Sequence, residues 1–283
     1  MEVASLWVGF PGIPLYAAAV DPVAFNLGPL NVHWYGVMMA LAFVAGIWTA
    51  SRRCLLDGIH PEKVLDIGPW LIVGAIIGAR TFYVVSYWKE QFAGRPFIEV
   101  FMVQHGGLVY YGGLLGALSS GILFARLKQI PVWRLADTLA PSIALGYIFG
   151  RMGCLLNGCC YGQPSSLPWA ITFPAGHDTH PVDQAGIPVH PTQVYDSLLS
   201  LGLYLFMGWL FRRKKFDGQI FASYLICYAC TRSLVELFRG DYPQYYAGWI
   251  TPAHLVSILI LTGGLALFFL LPRTSIRSET TKA

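Results

Sequence analysis

The sequence predicts an all-α, multi-pass integral membrane protein with about seven transmembrane helices, and three observations lead to this prediction. Hydrophobic residues make up 55% of the 283 residues. Charged residues make up only 12%, whereas a soluble domain carries about 25%. The apolar residues also fall in runs of about 20, the length that an α-helix needs to cross the hydrocarbon of a bilayer. Lipid is therefore the expected solvent of this chain.

Seven windows are long and apolar enough to be spans, and the whole chain, 1–283, is expected to form a single membrane domain. Residues 1–32 contain several prolines and no Lys or Arg, so they predict an arm at the membrane surface and not a cleaved signal peptide. Residues 157–190, rich in Pro and Gly, predict a loop or small cap on the outer face. The windows are Trp34–Ala50, Ile67–Trp88, Gly106–Leu127, Leu135–Leu156, Thr192–Leu210, Gly218–Phe238 and Trp249–Leu271.

The basic residues predict the orientation of these spans. Of the 19 Lys and Arg residues, 13 fall in the first, third and fifth loops and the C-terminal tail, and three in the segments on the opposite side. Because cytoplasmic loops carry the excess of basic residues, this distribution places the N-terminus outside and the C-terminus in the cytoplasm. The net charge of +4 is thus explained by topology, and no nucleic-acid partner is expected.

The three remaining basic residues, Arg80, Arg151 and Arg232, lie within the spans, all in the outer half of the bilayer. An arginine within a span costs roughly 2.5–3.5 kcal/mol on insertion scales, so intramembrane arginines indicate function by default. Arg239 follows at the end of the sixth span. On the inner side, Asp66 and Asp137 have the positions of interfacial or capping groups.

Two acidic residues, Asp196 and Glu236, are predicted at the same depth as the arginines. Arg232 and Glu236 stand four residues apart on one helical face, so a purely structural ion pair is one interpretation. The excess of guanidinium groups favours a site for an anionic phosphate, such as a lipid head group, because arginine grips phosphate with two parallel hydrogen bonds. Glycine pairs on both sides of Leu108–Tyr111 favour a shaped site at this level.

Four short motifs lie at the outer ends of the predicted helices. In their order and spacing they resemble the prolipoprotein diacylglyceryl transferases, from about Asp21 to about Leu271. The motifs are His33-Trp34-Tyr35-Gly36, Gly150-Arg151-Met152-Gly153 through Asn157-Gly158, His190-Pro191-Thr192-Gln193-Val194-Tyr195-Asp196, and Arg232 through Glu236 to Arg239.

The resemblance implies a reaction. Enzymes of this family move the diacylglyceryl group of phosphatidylglycerol to the thiol of a lipobox cysteine in a prolipoprotein signal peptide, and they release glycerol phosphate. The implied partners are phosphatidylglycerol, these signal peptides and membrane lipids, and the implied location is the cytoplasmic (inner) membrane of a bacterium. No cofactor and no metal are expected.

The resemblance also assigns roles. It implies that Arg151 binds phosphatidylglycerol, that Arg232 is essential, and that the remaining matched residues belong to the same site. The residues expected to act in catalysis are Arg232, Tyr35, Tyr111, His190 and Glu236. Those expected to bind phosphatidylglycerol are Arg151, Asn157, Arg239 and Arg80.

Several positions depart from the family pattern. Tyr111 stands where the family often has the histidine that is its usual base candidate, Cys154 and Cys159 replace polar residues, and Asp196 stands where Glu is common. Tyrosine has an ordinary pKa of about 10 and is a poor base at neutral pH. The base that activates the thiol is therefore open among Tyr111, His190 and His105.

The six cysteines carry an alternative function, that of a membrane thiol-disulfide oxidoreductase. Cys227 and Cys230 form a C-x-x-C pair, and Cys154, Cys159 and Cys160 cluster near the outer end of the fourth span, where a structural disulfide is plausible. The sequence favours the interpretation that all six thiols are dispensable for turnover. A non-enzymatic lipid binder or transporter is a further alternative, and the group His177, Asp178 and His180 is too small for a metal site.

Overall fold

The structure is a computed structural model that describes residues 15–16, 22–28, 30–103, 106–173, 186–240 and 250–280. Seven long α-helices account for most of these residues, and each overlaps one of the predicted windows. The helices are α1 (Trp34–Arg53), α2 (Pro61–Ser86), α3 (Tyr110–Leu127), α4 (Val132–Leu156), α5 (Thr192–Phe211), α6 (Gln219–Glu236) and α7 (Pro252–Thr280).

Five of the seven helices, α1, α2, α4, α5 and α7, are long and apolar enough to cross a membrane. The chain is thus a helical membrane protein, as predicted. Helices α3 and α6 have 18 residues each. Helix α6 carries Arg232 and Glu236, and α3 contains four Gly, two Ser and two Tyr residues among its aliphatic ones.

Four short strands lie outside the helices. Strands β2 (Val23–Leu27) and β3 (Leu30–His33) form an antiparallel hairpin that leads directly into α1. Strand β1 (Leu15–Tyr16) pairs in parallel with β4 (Ile171–Thr172). The predicted N-terminal arm therefore contacts the predicted 157–190 loop, whose own small apolar core includes Tyr161, Phe173 and Val189.

The helices pack as pairs, α1 on α4, α2 on α3, α4 on α5 and α6 on α7. The α2–α3 pair is unusually close. A Cβ atom added to Gly116 would lie 2.1 Å from the carbonyl oxygen of Gly74, and one added to Gly78 would lie 2.3 Å from that of Gly112. These glycines allow two backbones to touch. Close helix packing is therefore one role of the glycines after Tyr111, and the expectation that the glycine pairs also shape a site stays a prediction.

The predicted inner ends of the helices meet in a charged network. Lys214, in the fifth loop, lies 2.5 Å from Asp57 and 3.4 Å from Asp137. Asp137 is fully buried and accepts hydrogen bonds from the backbone N–H groups of Gly218 and Phe221 at 2.7 and 2.9 Å. It thus satisfies free donors at the start of α6, which confirms its predicted capping role. Lys63 also donates a hydrogen bond to the carbonyl of Lys128 in the third loop, so the first, third and fifth loops lie at one end of the molecule.

Candidate active site

Arg151 lies in the last turns of α4 and is held by two neighbouring side chains. Its Nε lies 3.0 Å from Oδ2 of Asp196, in the second turn of α5. Its Nη2 donates to the hydroxyl of Tyr147, one helical turn earlier, and the guanidinium lies 4.8 Å from the centre of the Tyr147 ring. Among the described residues no hydrogen bond involves Nη1, so this atom is available to a ligand.

Arg232 and Arg239 share one buried carboxylate near the end of α6. Arg232 Nη1 lies 2.6 Å from Oε2 of Glu236, and Arg239 Nε lies 3.9 Å from the same oxygen. Glu236 is only 2% exposed. Its other oxygen accepts a 2.6 Å hydrogen bond from the hydroxyl of Thr251 at the start of α7, and that hydroxyl lies 3.1 Å from Nδ1 of His254. Glu236 therefore fixes α7 against the arginines.

The two arginine groups belong to one cluster, because Asp196 interacts electrostatically with Arg151, Arg232 and Arg239. Three guanidinium groups thus face two carboxylates. Arg151 Nε, Arg232 Nη1 and Glu236 Oε2 are buried, and the geometry of their ion pairs does not meet that of a hydrogen bond. A buried cluster with surplus positive charge and incompletely used donors is suited to an anion that supplies several acceptor oxygens.

The loop after α4 passes over this cluster and is fastened to α5. Gly158 and Cys160 adopt positive φ angles of 69° and 64°, which turn the chain sharply after the helix. The carbonyl of Cys159 accepts a 2.7 Å hydrogen bond from the amide of Gln193, and that of Cys160 accepts one of 2.7 Å from the hydroxyl of Thr192. Backbone pairing of Gly162 with both His190 and Arg239 then joins the loop to α5 and α6.

Three cysteines meet where α4 ends, with Cys154 in the last turn of the helix and Cys159 and Cys160 in the loop after it. The sulfur atoms of Cys154, Cys159 and Cys160 all lie within 4.8 Å of one another, and all three residues are partly exposed. Hydrogen bonds with the Cys154 and Cys159 thiols lower the pKa of Cys160 despite its burial, and the charges of Arg239 and Arg151 lower it further. The cysteine cluster, defined as these three residues, therefore adjoins the arginines.

Tyr35 and Asn157, both predicted site residues, border the cysteine cluster. Tyr35, in the first turn of α1, packs on Gly153 of α4 and interacts electrostatically with all three cysteines. Asn157 is the C-cap of α4, and its side chain hydrogen-bonds the thiol of Cys159.

The candidate bases lie in different surroundings. Tyr111 is 57% exposed, and the centre of its ring lies 5.7 Å from that of Tyr110. His190 is partly buried next to the site, with Nδ1 3.2 Å from the hydroxyl of Tyr195. Burial lowers the pKa of His190, which favours the neutral imidazole that a base requires. His105, like His177, Asp178 and His180, lies outside the described residues.

Arg80 has a set of partners that the sequence did not suggest. Its guanidinium donates four hydrogen bonds of 2.6–3.2 Å to the backbone carbonyls of Glu99, Val100, Gly106 and Gly107. These contacts fasten the segment between α2 and α3 and use every nitrogen of the side chain. The structure therefore favours a loop-anchoring role for Arg80 over the predicted phosphate binding.

Sequence reasoning missed three residues that support the cluster, Tyr147, Thr251 and His254. Tyr147 was detectable, since it stands four residues before Arg151 on one helical face. Thr251 and His254 have no comparable signal, because they reach Glu236 only through the packing of α7 on α6.

Comparisons with known proteins identify a family for this chain. A sequence profile of the family described as "Prolipoprotein diacylglyceryl transferase" matches residues 22–270. A protein of Synechococcus elongatus named phosphatidylglycerol–prolipoprotein diacylglyceryl transferase is 38% identical over 259 residues, which cover 89% of this chain and 88% of that protein. Proteins of the same name from Nitratidesulfovibrio vulgaris and Finegoldia magna are 36% and 33% identical, and the matches cover 87% and 92% of this chain and 92% and 99% of theirs.

Proposed function

The chain belongs to the prolipoprotein diacylglyceryl transferase family, and from this premise we propose that it transfers the diacylglyceryl group of phosphatidylglycerol to the lipobox cysteine of prolipoproteins. The cysteine thiolate attacks the glycerol carbon that carries the phosphate. A thioether forms, and glycerol phosphate leaves. This is the first step of lipoprotein maturation.

The arginine cluster is the single observation that supports this function most directly. The reaction places a phosphodiester in the site and turns it into a leaving group with more negative charge. Arg151 and Arg232 come from different helices, and each has a buried carboxylate partner that orients its guanidinium. Preorganised donors of this kind stabilise charge that develops in the transition state.

We assign the remaining roles from position. Arg239 shares Glu236 with Arg232 and binds the same phosphate. Asp196 and Glu236 orient the arginines, so they are positioning residues. Tyr35 and Asn157 line the side of the site next to the cysteine cluster. Tyr111 and His190 remain candidates for the base, together with His105.

The placement in the membrane is part of the proposal. Helices α3 and α6 are the additional spans that bring the number to seven, with the N-terminus outside and the C-terminus in the cytoplasm. The site then opens to the outer leaflet of the bacterial inner membrane. The arm at 1–32 and the cap at 157–190 cover the same side of the single membrane domain.

A reconstitution assay tests the function. The purified protein is incubated with phosphatidylglycerol and a lipobox peptide, and glycerol phosphate release and the mass of the modified peptide are both measured. We expect both products with the cysteine peptide and neither with a peptide that has Ser in place of the lipobox Cys. Lipid retention without release would identify a lipid binder, and peptide oxidation without a mass gain of diacylglycerol would identify an oxidoreductase.

A further inference from the structure

The proposed function requires a thiolate, because the thiolate and not the thiol is the nucleophile. A free cysteine has a pKa of about 8.5, so something at the site must remove its proton. Tyr111 stands where the family often has its histidine. Its side chain is largely exposed and packs against the ring of Tyr110. The residues described so far therefore do not explain how the site deprotonates the incoming thiol.

The cysteine cluster has the geometry of a three-ligand metal site. Tetrahedral zinc with S–Zn bonds of about 2.3 Å places its sulfur ligands about 3.8 Å apart. The three sulfurs of Cys154, Cys159 and Cys160 already lie within 4.8 Å of one another, so small rotamer changes would close them around one ion. Three soft thiolates favour Zn²⁺ over harder cations.

A second observation points to a ligand at this place. Gln193 is fully buried, and its amide nitrogen binds the Cys159 carbonyl, whereas its Oε1 has no hydrogen-bond partner among the described residues. A buried acceptor without a donor is costly. Gln193 lies beside the cysteine loop. Its unpaired Oε1 therefore indicates that a ligand belongs there, either a group that donates a hydrogen bond to this oxygen or one that this oxygen can coordinate.

From these contacts we propose that Cys154, Cys159 and Cys160 bind one zinc ion, and that its fourth position takes the lipobox thiol of the substrate. Catalytic zinc sites have three protein ligands and an open position, whereas structural sites are closed by four. The cluster is partly exposed and adjoins Tyr35, Asn157 and the arginines, so a coordinated thiol would be next to the bound lipid. This proposal rests on the proposed function, and it replaces the expectations from the sequence that all six thiols are dispensable and that no metal is bound.

The chemical step balances without a redox partner. A thiol that coordinates zinc is deprotonated, and its proton passes to water at the outer face. The sulfur then forms a bond to the glycerol carbon, and the C–O bond to phosphate breaks. The electron pair of that bond leaves with glycerol phosphate, which the arginines stabilise. The thioether product carries no charge and binds zinc less well than a thiolate, so it dissociates.

The experiment measures metal binding separately from turnover. The protein is purified under reducing conditions without phosphatidylglycerol, and its zinc content is measured. The metal is then exchanged for Co²⁺, whose absorption bands report how many thiolates bind it. We expect about one zinc per chain. We also expect a change in the Co²⁺ spectrum with a lipobox peptide and none with its Cys-to-Ser version.

Variants and chelation complete the test. Cys154→Ser, Cys159→Ser and Cys160→Ser should each weaken zinc binding at least about tenfold, since even outer-shell changes have effects of 10–100-fold. The double variant Cys227→Ser/Cys230→Ser is the matched control and should keep its zinc. Removal of the metal with a chelator should stop transfer, and added Zn²⁺ should restore it.

Several outcomes would overturn the zinc site while the transferase function stands. They are turnover by metal-free enzyme, a Co²⁺ spectrum that does not change with the lipobox thiol, or a disulfide among the three cysteines in active enzyme. A failure of the function itself would look different, because no form of the enzyme would release glycerol phosphate whatever its metal content.

Discussion

At the scale of single residues, the shape of the arginine side chains matters as well as their charge. Arg151→Lys and Arg232→Lys keep a positive charge but lose the planar fork that binds phosphate through two hydrogen bonds. Loss of one preorganised donor typically lowers the rate by ~10²–10³, and we expect losses of this size in glycerol phosphate release by folded enzyme.

The matched control for these variants is Arg134→Lys, which alters an Arg–Asp pair at the opposite end of the molecule, where Arg134 lies 3.1 Å from Asp217. It should stay within a few-fold of the parent, since an exposed pair contributes little. Parent-like turnover of both Arg151→Lys and Arg232→Lys would mean that the cluster only holds helices in register.

Thr251 offers a second test at this scale, because its hydroxyl donates to Glu236, which in turn binds Arg232. Thr251→Val removes the hydroxyl that donates to a buried carboxylate, and leaving a buried acceptor unpaired costs about 1–3 kcal/mol. We expect reduced thermal stability and slower release of glycerol phosphate, both recovered in Thr251→Ser. Recovery by Thr251→Ser separates loss of the hydrogen bond from loss of volume, and equal defects in both variants would contradict the positioning role.

At the scale of elements, the α2–α3 pair depends on glycines that have no room for a side chain. Gly116→Ala should destabilise the protein by roughly 1–3 kcal/mol, the usual cost of overpacking, as measured by thermal unfolding in detergent. Gly202→Ala is the control, since a Cβ at Gly202 meets nothing within 4 Å and Ala favours the helix by about 1 kcal/mol. Equal stability of both variants would show that α2 and α3 are not in contact.

The segment between α2 and α3 depends on Arg80 in the same way. In Arg80→Lys the ammonium has three donors on one nitrogen and cannot bind all four carbonyls that the guanidinium engages through three nitrogens. We expect trypsin to cut after the exposed Lys89 in this segment faster than in the parent, with a smaller loss of turnover than in Arg151→Lys. If turnover falls as far as in Arg151→Lys and the rate of cleavage does not change, Arg80 binds the substrate after all.

At the scale of the whole molecule, orientation is the property on which the depth of the site depends. Reporter fusions after Lys128 and after Lys214 should both report the cytoplasm, because these residues lie in loops that carry most of the basic residues. In the structure Lys63 bonds the carbonyl of Lys128 and Lys214 binds Asp57, so the loops share one side. A periplasmic signal at either fusion would place the arginine cluster in the wrong leaflet for the proposed reaction.

The sequence by itself determined the membrane class, the positions of all seven described helices and the arginines within them. These features depend on local hydropathy and on charges that lipid penalises, and both can be read from consecutive residues. It also supported the family through four ordered motifs. The Arg232–Glu236 pair was predictable because its members stand one turn apart on one helix.

Only the tertiary structure decided which distant side chains meet. Arg80 binds the backbone of a loop, and Thr251 and His254 lie next to Glu236. The sulfur atoms of Cys154, Cys159 and Cys160 lie close together. Positive φ angles at Gly158 and Cys160 fold the chain back over the end of α4, and no local periodicity encodes that turn. Partners separated by a turn or by whole helices depend on packing, which sequence spacing does not determine.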